Sequence, residues 1–321
     1  MQKTIGVLTS GGDAPGMNAA IRAVVRAGIT AGYKVKGVYM GYKGLLSMDV
    51  KDLSLRSVSD IINRGGTLLY TARSEEFKTE EGVKKAAENC KEMGIDALVV
   101  IGGDGSFRGA RALSKYGIKV IGIPGTIDND IPSTDFTIGF DTAMNTAMEM
   151  IDKIKDTAHS HNRCSVIEVM GRRCGDIALQ TGIAVGSTAI LIPEEEYDME
   201  NDIISKIYEQ KSTGKNHFIV LVAEGVGKAD ELAKYIEHRT GIVTRTTILG
   251  YVQRGGSPTL RDRVMATMMG VKAVHLLDKD ISNRVMCYRG GKVVDMDIDE
   301  ALDMKSELNQ ELYDIACEVS I

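Results

Sequence analysis

Two aspartates and a hydroxyl follow an apolar run in the segment Pro124-Gly-Thr-Ile-Asp-Asn-Asp130. The preceding run, Lys119-Val-Ile-Gly-Ile123, predicts a buried strand. Ligands of open α/β sheets bind beyond the carboxyl ends of the strands, so this segment is placed for chemistry. Its aspartates, two residues apart, can hold a divalent cation, or one of them can take up a proton. A Pro/Gly turn followed by an aspartate helix cap is the alternative interpretation.

Other loops have the residues that a phosphate site needs. Gly11-Gly12 and Gly102-Gly103 each follow an apolar run and precede a helical pattern. Without side chains, the glycine backbone can approach a phosphate closely, and the next helix offers unpaired N–H groups. Neither loop is a P-loop or a GxGxxG fingerprint. Asp104 lies between two glycines, where a hydrated Mg²⁺ carried on a nucleotide phosphate has room; a helix N-cap is its alternative role.

Arginines cluster at the tips of other loops. They are Arg73, Arg163, Arg172, Arg173, Arg245 and Arg254. An arginine beside glycine at a strand end can reach a phosphate through two parallel hydrogen bonds, whereas an ordinary surface arginine is solvated. One cation site, one candidate base and several anion-binding arginines together predict phosphoryl transfer between two phosphorylated small molecules.

The elements that must position these loops are predicted to be parallel strands alternating with helices. Apolar runs without alternation indicate strands covered on both faces. The runs are residues 5–8, 97–101, 120–123, 166–170, 218–223 and 247–249. Each leads into a polar loop that contains glycine, and such loops at successive strand ends predict a ligand cleft. Residues 18–30 form an amphipathic pattern in which Arg22 and Arg26 share a face away from the apolar stripe.

Composition excludes several classes of protein. The chain has 321 residues, 43% of them hydrophobic, which suffices for a large core and two domains. No apolar stretch approaches the roughly 20 residues that span a bilayer, and the N-terminus enters a strand directly, so we expect a soluble cytoplasmic protein with no membrane partner. The net charge of −5 argues against a nucleic-acid partner. The 5 cysteines form no CxxC pair and are expected to be reduced thiols without assigned chemistry.

A long helical pattern places a domain boundary near residue 140. The pattern begins at residues 136–141 and reaches about residue 156. The chain after Ser257 is helical and then strand-like at residues 284–288, so it can return to the first domain.

Five motifs occur along the chain: Gly11-Gly-Asp-Ala-Pro-Gly-Met-Asn18, Gly102-Gly-Asp-Gly-Ser106, Pro124-Gly-Thr-Ile-Asp-Asn-Asp130, Met170-Gly-Arg172 and Gln253-Arg-Gly-Gly-Ser-Pro258. In order and spacing, this series resembles bacterial ATP-dependent 6-phosphofructokinases over essentially the whole chain. The resemblance implies transfer of the γ-phosphoryl group of ATP, with Mg²⁺, to the C1 hydroxyl of fructose 6-phosphate. This reaction is the committed step of glycolysis. The resemblance also implies allosteric control and a homotetramer with shared active sites.

The resemblance also implies an α/β fold of two doubly wound domains with largely parallel sheets. An ATP-binding domain is expected at residues 1–140 with about 257–305, and a fructose 6-phosphate-binding domain at residues 141–256 with about 306–321. The family pattern implies roles for individual residues as well. Asp128 is implied as the general base, with Thr126 and Arg172 facing the transferring group. Asp104 is implied to hold Mg²⁺.

The binding residues that the resemblance implies fall into separate sets. The ATP site is expected at Gly12, Arg73, Ser74, Gly102, Gly103, Asp104, Gly105 and Ser106. The sugar-phosphate site is expected at Thr126, Ile127, Asp128, Met170, Gly171, Arg172, Glu224, Tyr251 and Arg254, with Arg163 and Arg245 entering from a neighbouring subunit. The effector site is expected at Arg22, Arg26, Asp60, Lys155, Gly186 and Lys215.

The chain departs from the family pattern mainly at the expected effector site. Thr188 stands where the familiar members have an acid and Lys155 where they have Arg, while Leu55-Arg56 shifts an expected Arg by one place. Tyr251 stands where His is frequent. Thr188 cannot hold the Mg²⁺ of a nucleoside diphosphate as a carboxylate does. We therefore expect Mg-ADP to activate weakly and Thr188→Glu to strengthen its binding. The identity and the sign of the effector stay open.

Other functions remain open at the level of sequence. A pyrophosphate-dependent kinase is expected to have Asp in place of Gly105 and Lys in place of Gly125, either of which would crowd a nucleotide. NAD and lipid kinases share the GGDG loop but lack the PGTIDND and QRGGSP segments. A sugar-phosphate or nucleotide sensor on the same scaffold could dispense with Asp128.

Overall fold

The computed structural model describes residues 2–320, and the chain divides into two compact units. The first unit comprises the residues up to Ile127, Ile131–Thr142 and Arg254–Ser306. The second comprises Asp128–Asp130, Ala143–Gln253 and the residues from Glu307 onward. The sequence places the corresponding boundaries near residues 140, 256 and 305. The roles of the units as ATP-binding and fructose 6-phosphate-binding domains stay predictions.

Strands alternate with helices along most of the chain. The strands are β1 (Thr4–Ser10), β2 (Lys34–Val38), β3 (Val50–Asp52), β4 (Ala97–Gly102), β5 (Lys119–Pro124), β6 (Cys164–Val169), β7 (Ala189–Leu191), β8 (Phe218–Ala223), β9 (Thr244–Ile248), β10 (Arg284–Arg289) and β11 (Lys292–Asp297). The helices are α1 (Met17–Thr30), α2 (Tyr42–Ser47), α3 (Glu80–Glu92), α4 (Asp104–Ser114), α5 (Phe140–His161), α6 (Asp176–Val185), α7 (Lys206–Ser212), α8 (Ala229–Thr240), α9 (Leu260–Asp278), α10 (Ile298–Asp303) and α11 (Gln310–Val319).

Each unit has its own sheet. Over residues 2–320, the first unit has a 7-stranded sheet in the order β11-β10-β5-β4-β1-β2-β3, and the second has a 4-stranded sheet in the order β7-β8-β6-β9. The β2–β3 and β10–β11 pairs are antiparallel, and the other neighbours are parallel. Strands β1, β4 and β8 are buried along their whole length, which explains why their sequences show apolar runs without alternation. The predicted α/β fold with largely parallel sheets is confirmed.

Helices cover the sheets through faces that the sequence marks as apolar. In α1, buried Ile21, Val24 and Val25 face the core, whereas Arg22 and Arg26 are half-buried. The most extensive packing between two helices is that of α1 against α9, within the first unit. Among residues 2–320, no helix is both long enough and apolar enough to cross a membrane.

Candidate active site

Glycine-containing loops leave adjacent strands at the same level of the first sheet. Strands β1, β4 and β5 are parallel neighbours, and their register pairs Ser10 with Gly102 and Gly102 with Pro124. The loops that follow these residues therefore begin side by side. This edge holds the carboxyl ends of the strands, where ligands of such sheets bind. The structure thus brings together the predicted segments at Gly11-Gly12, Gly102–Ser106 and Thr126.

Two of these glycines are needed for different physical reasons. A β-carbon at Gly102 would lie 2.3 Å from the backbone oxygen of Ser10 and 2.5 Å from Oγ of Ser106, so the position has no room for a side chain. Gly11 has a φ of 90°, a backbone conformation that residues with side chains rarely adopt. Close approach and turn geometry together leave the backbone at this edge bare, as a phosphate site requires.

Asp104 is the first residue of α4, and its carboxylate is partly exposed. The side chain is 39% exposed and lies 3.1 Å from Nε of Arg108, one helical turn later. A β-carbon at Gly105 would meet no atom within 4 Å, so the space beside this carboxylate is open. Over residues 2–320, no group of 3 or more His, Cys, Asp and Glu side chains could hold a metal ion by itself. A cation at Asp104 must therefore arrive with other ligands, as Mg²⁺ on nucleotide phosphates does.

An aromatic pair beneath the Gly102–Ser106 loop was missed in the sequence. The Tyr42 hydroxyl donates a hydrogen bond to the backbone oxygen of Ser106, and its ring stacks on Phe77 with centroids 4.0 Å apart. Burial raises the pKa of Tyr42, so the phenol stays a neutral donor. Helix α2 thereby fixes the turn from which α4 begins. In the sequence, the position of Tyr42 directly after Gly41 is the only sign that this tyrosine supports the loop.

Arg73 and Ser74 lie on a segment that is tied to the first glycine loop. The Thr71 hydroxyl donates to the backbone oxygen of Gly11 at 2.7 Å. Oγ of Ser74 accepts from the N–H of Phe77 at 3.2 Å, within the short 3-10 turn Glu76–Lys78. Arg73 itself is exposed. The two predicted ATP residues therefore lie two and three residues after a contact with the Gly11-Gly12 loop, with an exposed charge at Arg73 and a backbone contact at Ser74.

The loop that starts at Gly125 closes on itself before α5. Thr126 and Asp128 are buried, with 8% and 3% of their surface exposed. The Thr137 hydroxyl donates to the backbone oxygen of Thr126 at 2.7 Å, and the N–H of Ile138 donates to the oxygen of Pro124 at 2.9 Å. A loop held at both ends keeps its carboxylate in one place, which positioning of a base requires.

Asp262 anchors the far end of this loop and is a second residue that sequence reasoning missed. It is fully buried, and its carboxylate accepts from the N–H of Gly139 at 2.7 Å and the N–H of Thr142 at 2.8 Å. The Thr142 hydroxyl also donates to it. Burial raises the pKa of Asp262 to about 6, against the opposing hydrogen bonds from Thr142 and Gly139.

We expect this buried carboxylate to make stability depend on pH in a definite direction. Because the folded pKa lies above the unfolded one, the folded state binds more protons between about pH 4 and about pH 6. The free energy of unfolding of the wild type, minus that of Asp262→Asn, should therefore fall by about 3 kcal/mol as pH rises through this window and stay level above it. Chemical denaturation of both proteins at several pH values measures the difference. A difference that rises with pH contradicts the assignment.

In the second unit, the Met170–Arg172 turn has a strained backbone that other residues stabilise. Arg172 has a φ of 55°, and its N–H donates to Oε1 of Glu224 at 2.7 Å. Its Nη1 lies 3.1 Å from Oδ2 of Asp130. The β6–β8 register pairs Val169 with Ala223, so the loops carrying Arg172 and Glu224 begin side by side. Predicted residues from both sets, the catalytic and the sugar-phosphate residues, therefore meet here.

Residues next to this turn set its position. The N–H of Met170 donates to Oε1 of Gln253 at 2.9 Å, and Gln253 is fully buried. Nδ2 of Asn129 donates to Oδ2 of Asp176 at 2.7 Å. Both Gln253 and Asn129 lie in the motifs that the sequence singled out, but neither was assigned a role. They hold Met170 and the Asp128–Asp130 segment in place.

Arg163 and Arg245 lie at the opposite end of the second sheet from Met170–Arg172. Arg163 immediately precedes β6, and the register pairs Arg245 with Ser165. The 6 residues of β6 separate the two ends by about 20 Å. Within one chain, these arginines therefore do not converge on the Met170–Arg172 turn. The Arg245 side chain is 61% exposed, at an edge strand of this sheet.

The remaining predicted substrate residues follow β9. Tyr251 is 82% exposed. Arg254 belongs to the first unit, where its Nη1 donates to the backbone oxygen of Asp13 at 3.2 Å. Within the first unit, Arg254 thus lies beside the Gly11-Gly12 loop, a placement that the sequence did not indicate.

The predicted effector residues are divided between the units. Arg22, Arg26 and Asp60 belong to the first unit and Lys155, Gly186 and Lys215 to the second. In the second unit, Nζ of Lys155 donates to the oxygen of Val185, next to Gly186, at 2.7 Å. Burial, together with the charge of Lys155, lowers the pKa of Lys215. Two lysines that repel each other at this site would be stabilised by an anion.

Thr188 is fully buried, which changes the expectation for its replacement. Its hydroxyl lies 2.9 Å from Oε1 of Gln210, and the same oxygen accepts from Nζ of Lys215 at 2.7 Å. A glutamate at this position would enter the protein interior and pair with Lys215 before it could reach a nucleotide.

We therefore expect Thr188→Glu to lower the free energy of unfolding by about 1–3 kcal/mol, because the Thr188–Gln210 hydrogen bond is lost and a larger, charged side chain is buried, which pairing with Lys215 offsets only in part. Thr188→Ser keeps the hydroxyl and is the matched control. Thermal denaturation of the three proteins tests this. Unchanged stability of Thr188→Glu, with tighter Mg-ADP binding, would restore the expectation from sequence.

Comparisons with known proteins agree with this arrangement. A family profile described as "Phosphofructokinase" matches residues 4–277. The chain is 60% identical over 314 residues to an ATP-dependent 6-phosphofructokinase of Clostridium botulinum (strain Hall), covering 98% of each chain. It is 56% identical to the protein of the same name from Clostridium tetani, again over 98% of each chain.

Solved structures show the same fold. Phosphofructokinase from Saccharomyces cerevisiae superposes with a TM-score of 0.89 at 36% identity, covering 100% of this chain and 48% of the yeast chain. The chain thus spans about half the length of that structure. A pyrophosphate-dependent phosphofructokinase from Marinobacter aquaeolei gives a TM-score of 0.85 at 22% identity, covering 96% of this chain and 86% of the other. This second likeness concerns the fold alone.

Proposed function

The chain belongs to the phosphofructokinase family, and we propose that it phosphorylates the C1 hydroxyl of fructose 6-phosphate with ATP, using Asp128 as the general base. The relatives named ATP-dependent 6-phosphofructokinase support this donor and acceptor. The observation that carries the site is the register that aligns Ser10, Gly102 and Pro124, followed by a buried Asp128 on a closed loop. The cytoplasmic location expected for this glycolytic kinase stays a prediction.

Asp128 acts on the acceptor in this proposal. Its carboxylate takes the proton of the C1 hydroxyl as that oxygen attacks the γ-phosphorus of ATP. The bond from the γ-phosphorus to the bridging oxygen breaks, and ADP leaves. The Thr126 hydroxyl and the Arg172 guanidinium stabilise charge on the transferring group. Arg172 suits this role because it is 65% exposed and already oriented by Asp130.

The donor side fits a Mg²⁺ that binds together with the nucleotide. Asp104 would hold the ion, since its carboxylate is partly exposed and the space at Gly105 is open. When bound, Mg²⁺ neutralises charge on the phosphates. The bare backbone at Gly11-Gly12 and Gly102-Gly103, with the first turn of α4, supplies N–H donors to the same phosphates.

The choice of ATP over pyrophosphate rests on Gly105. A β-carbon at Gly105 would enter open space, so an aspartate there would extend toward the bound donor. Gly125 is different, because a β-carbon there would lie 3.0 Å from Cγ2 of Ile101 and 3.2 Å from Cε of Met17. Packing against these two side chains therefore explains why position 125 is a glycine, and crowding of a nucleotide need not be invoked. The fold itself does not decide the donor, since a pyrophosphate-dependent protein shares it.

A second copy of the chain is part of the proposed site. Arg163 and Arg245 lie at the far end of β6 from Met170–Arg172, which supports a site in which a neighbouring subunit supplies them. At the other end of β9, which is an edge strand, apolar side chains are exposed: Ile248 is 58%, Tyr251 82% and Val252 53% exposed. Apolar side chains next to an edge strand are typical of an interface between subunits. We infer the homotetramer with shared sites that the resemblance implies.

A coupled assay that detects ADP or fructose 1,6-bisphosphate tests the proposal. With Mg²⁺ and fructose 6-phosphate, ATP should support turnover and pyrophosphate should not. NAD or a lipid as acceptor should give no product, which separates the enzymes that share the GGDG loop. Binding of ATP and fructose 6-phosphate without any turnover would favour a sensor instead.

A further inference from the structure

Arg254 lies against the loop that is proposed to hold the donor phosphates. A β-carbon at Gly12 would lie 2.4 Å from Nη1 and 3.0 Å from Cζ of Arg254. Nη1 also donates to the backbone oxygen of Asp13 at 3.2 Å. The guanidinium therefore covers the Cα of Gly12, and both residues belong to the first unit.

The space beside Gly12 is occupied by this arginine, whereas the backbone of Gly12 is ordinary. Gly11, beside it, has a φ of 90°, whereas Gly12 has no positive φ. A side chain at Gly12 would therefore displace the guanidinium, which is the flexible end of Arg254. The close approach places the charge of Arg254 directly against the backbone of the Gly11-Gly12 loop.

The charge of Arg254 has no acidic partner in the part of the chain that the structure describes. Its only hydrogen bond there goes to a neutral carbonyl oxygen, and no carboxylate lies within the 4.0 Å that defines an ion pair. Arg254 is half-buried, so solvent screens this charge incompletely. A guanidinium offers five N–H donors, most of which remain available to an anion. A polyphosphate bound over the Gly11-Gly12 loop would meet them.

We propose that Arg254 is a ligand of the donor's polyphosphate, which it reaches across Gly12. This rests on the proposed function, which places ATP at that loop. The role is distinct from the sugar-phosphate contact that the family resemblance implies for Arg254, because it needs no acceptor. Arg254 then helps to bind ATP to the enzyme before fructose 6-phosphate arrives.

Binding to the enzyme without fructose 6-phosphate tests the proposal. The probe is a non-hydrolysable ATP analogue with Mg²⁺, titrated by calorimetry into the full-length wild type, Arg254→Met, Arg254→Lys and Arg289→Met. We expect Arg254→Met to weaken binding about 10- to 100-fold, as loss of a charge-assisted contact does. Arg254→Lys should lose less. Arg289→Met removes an exposed arginine elsewhere in the first unit and should match the wild type.

Two further measurements separate this role from a folding defect. Binding of AMP, which lacks the outer phosphates, should be the same in Arg254→Met and the wild type. Gly12→Ala should displace the guanidinium, so Gly12→Ala and Arg254→Met should not be additive in the double variant.

Equal binding of the ATP analogue by the wild type and Arg254→Met would overturn this inference alone. The same would follow if Arg254→Met weakened AMP binding as much as it weakens binding of the ATP analogue. Failure of the wild type to bind the analogue would overturn the proposed function and this inference with it.

Discussion

Asp128→Asn is expected to lower the turnover number by about 10²- to 10⁴-fold, because the amide cannot take the proton of the C1 hydroxyl. The replacement has nearly the same shape, and Asp128 is only 3% exposed, so the loop should keep its position. Affinity for ATP should change little, since ATP is proposed to bind at Gly12, Gly102–Ser106 and Arg73. Steady-state kinetics with both substrates, together with ATP binding, measure the two effects separately.

Asp130→Asn is a matched control for this change. Asp130 lies two residues further on and pairs with Arg172 at 3.1 Å, so its loss should mainly affect the orientation of that arginine. A smaller loss of turnover is expected there than for Asp128→Asn. An Asp128→Asn enzyme with near-normal turnover would remove Asp128 from the role of base.

Gly105→Asp is expected to weaken ATP binding about 10- to 100-fold, because it adds a second carboxylate beside Asp104 where the phosphates are proposed to lie. The fold should tolerate the change. A β-carbon at Gly105 meets no atom within 4 Å, and the position is inside α4, where glycine is a poor helix former. Calorimetric titration of Mg-ATP and thermal denaturation measure the two quantities.

Gly105→Ala separates bulk from charge in the same position. It should bind ATP nearly as the wild type does and melt at the same or a higher temperature. Equal affinity of Gly105→Asp and Gly105→Ala for ATP would show that this position does not select the donor.

Local patterns in the sequence predict the strands and loops that carry chemistry. Buried parallel strands such as β4 and β8 show apolar runs, and each is followed by a loop that starts beside its neighbours. Short or partly exposed strands lack that signal, so the sequence does not predict β2, β3, β7 and β11. Strand β9 begins at Thr244, earlier than the predicted residue 247, because its first residues are polar.

Residues whose partners are distant in the chain could not be predicted from spacing. Thr259 and Asp262, three residues apart, have the pattern of a local helix-capping pair. Oγ1 of Thr259 indeed accepts from the N–H of Asp262. The carboxylate, however, bonds Gly139 and Thr142, more than a hundred residues earlier, and only the packing of α9 against the first sheet brings them together. Tyr42 and Arg254 likewise contact residues that are distant in the chain, Ser106 and Asp13.

Phosphorus NMR of the products is the most direct test of the central claim that this site transfers phosphate from ATP to fructose 6-phosphate. The wild type with Mg²⁺ and both substrates should give ADP and a new phosphoester at C1 in equal amounts, while Asp128→Asn gives neither at a comparable rate. Formation of ADP and inorganic phosphate without a C1 phosphoester, or equal product from Asp128→Asn, would contradict the account.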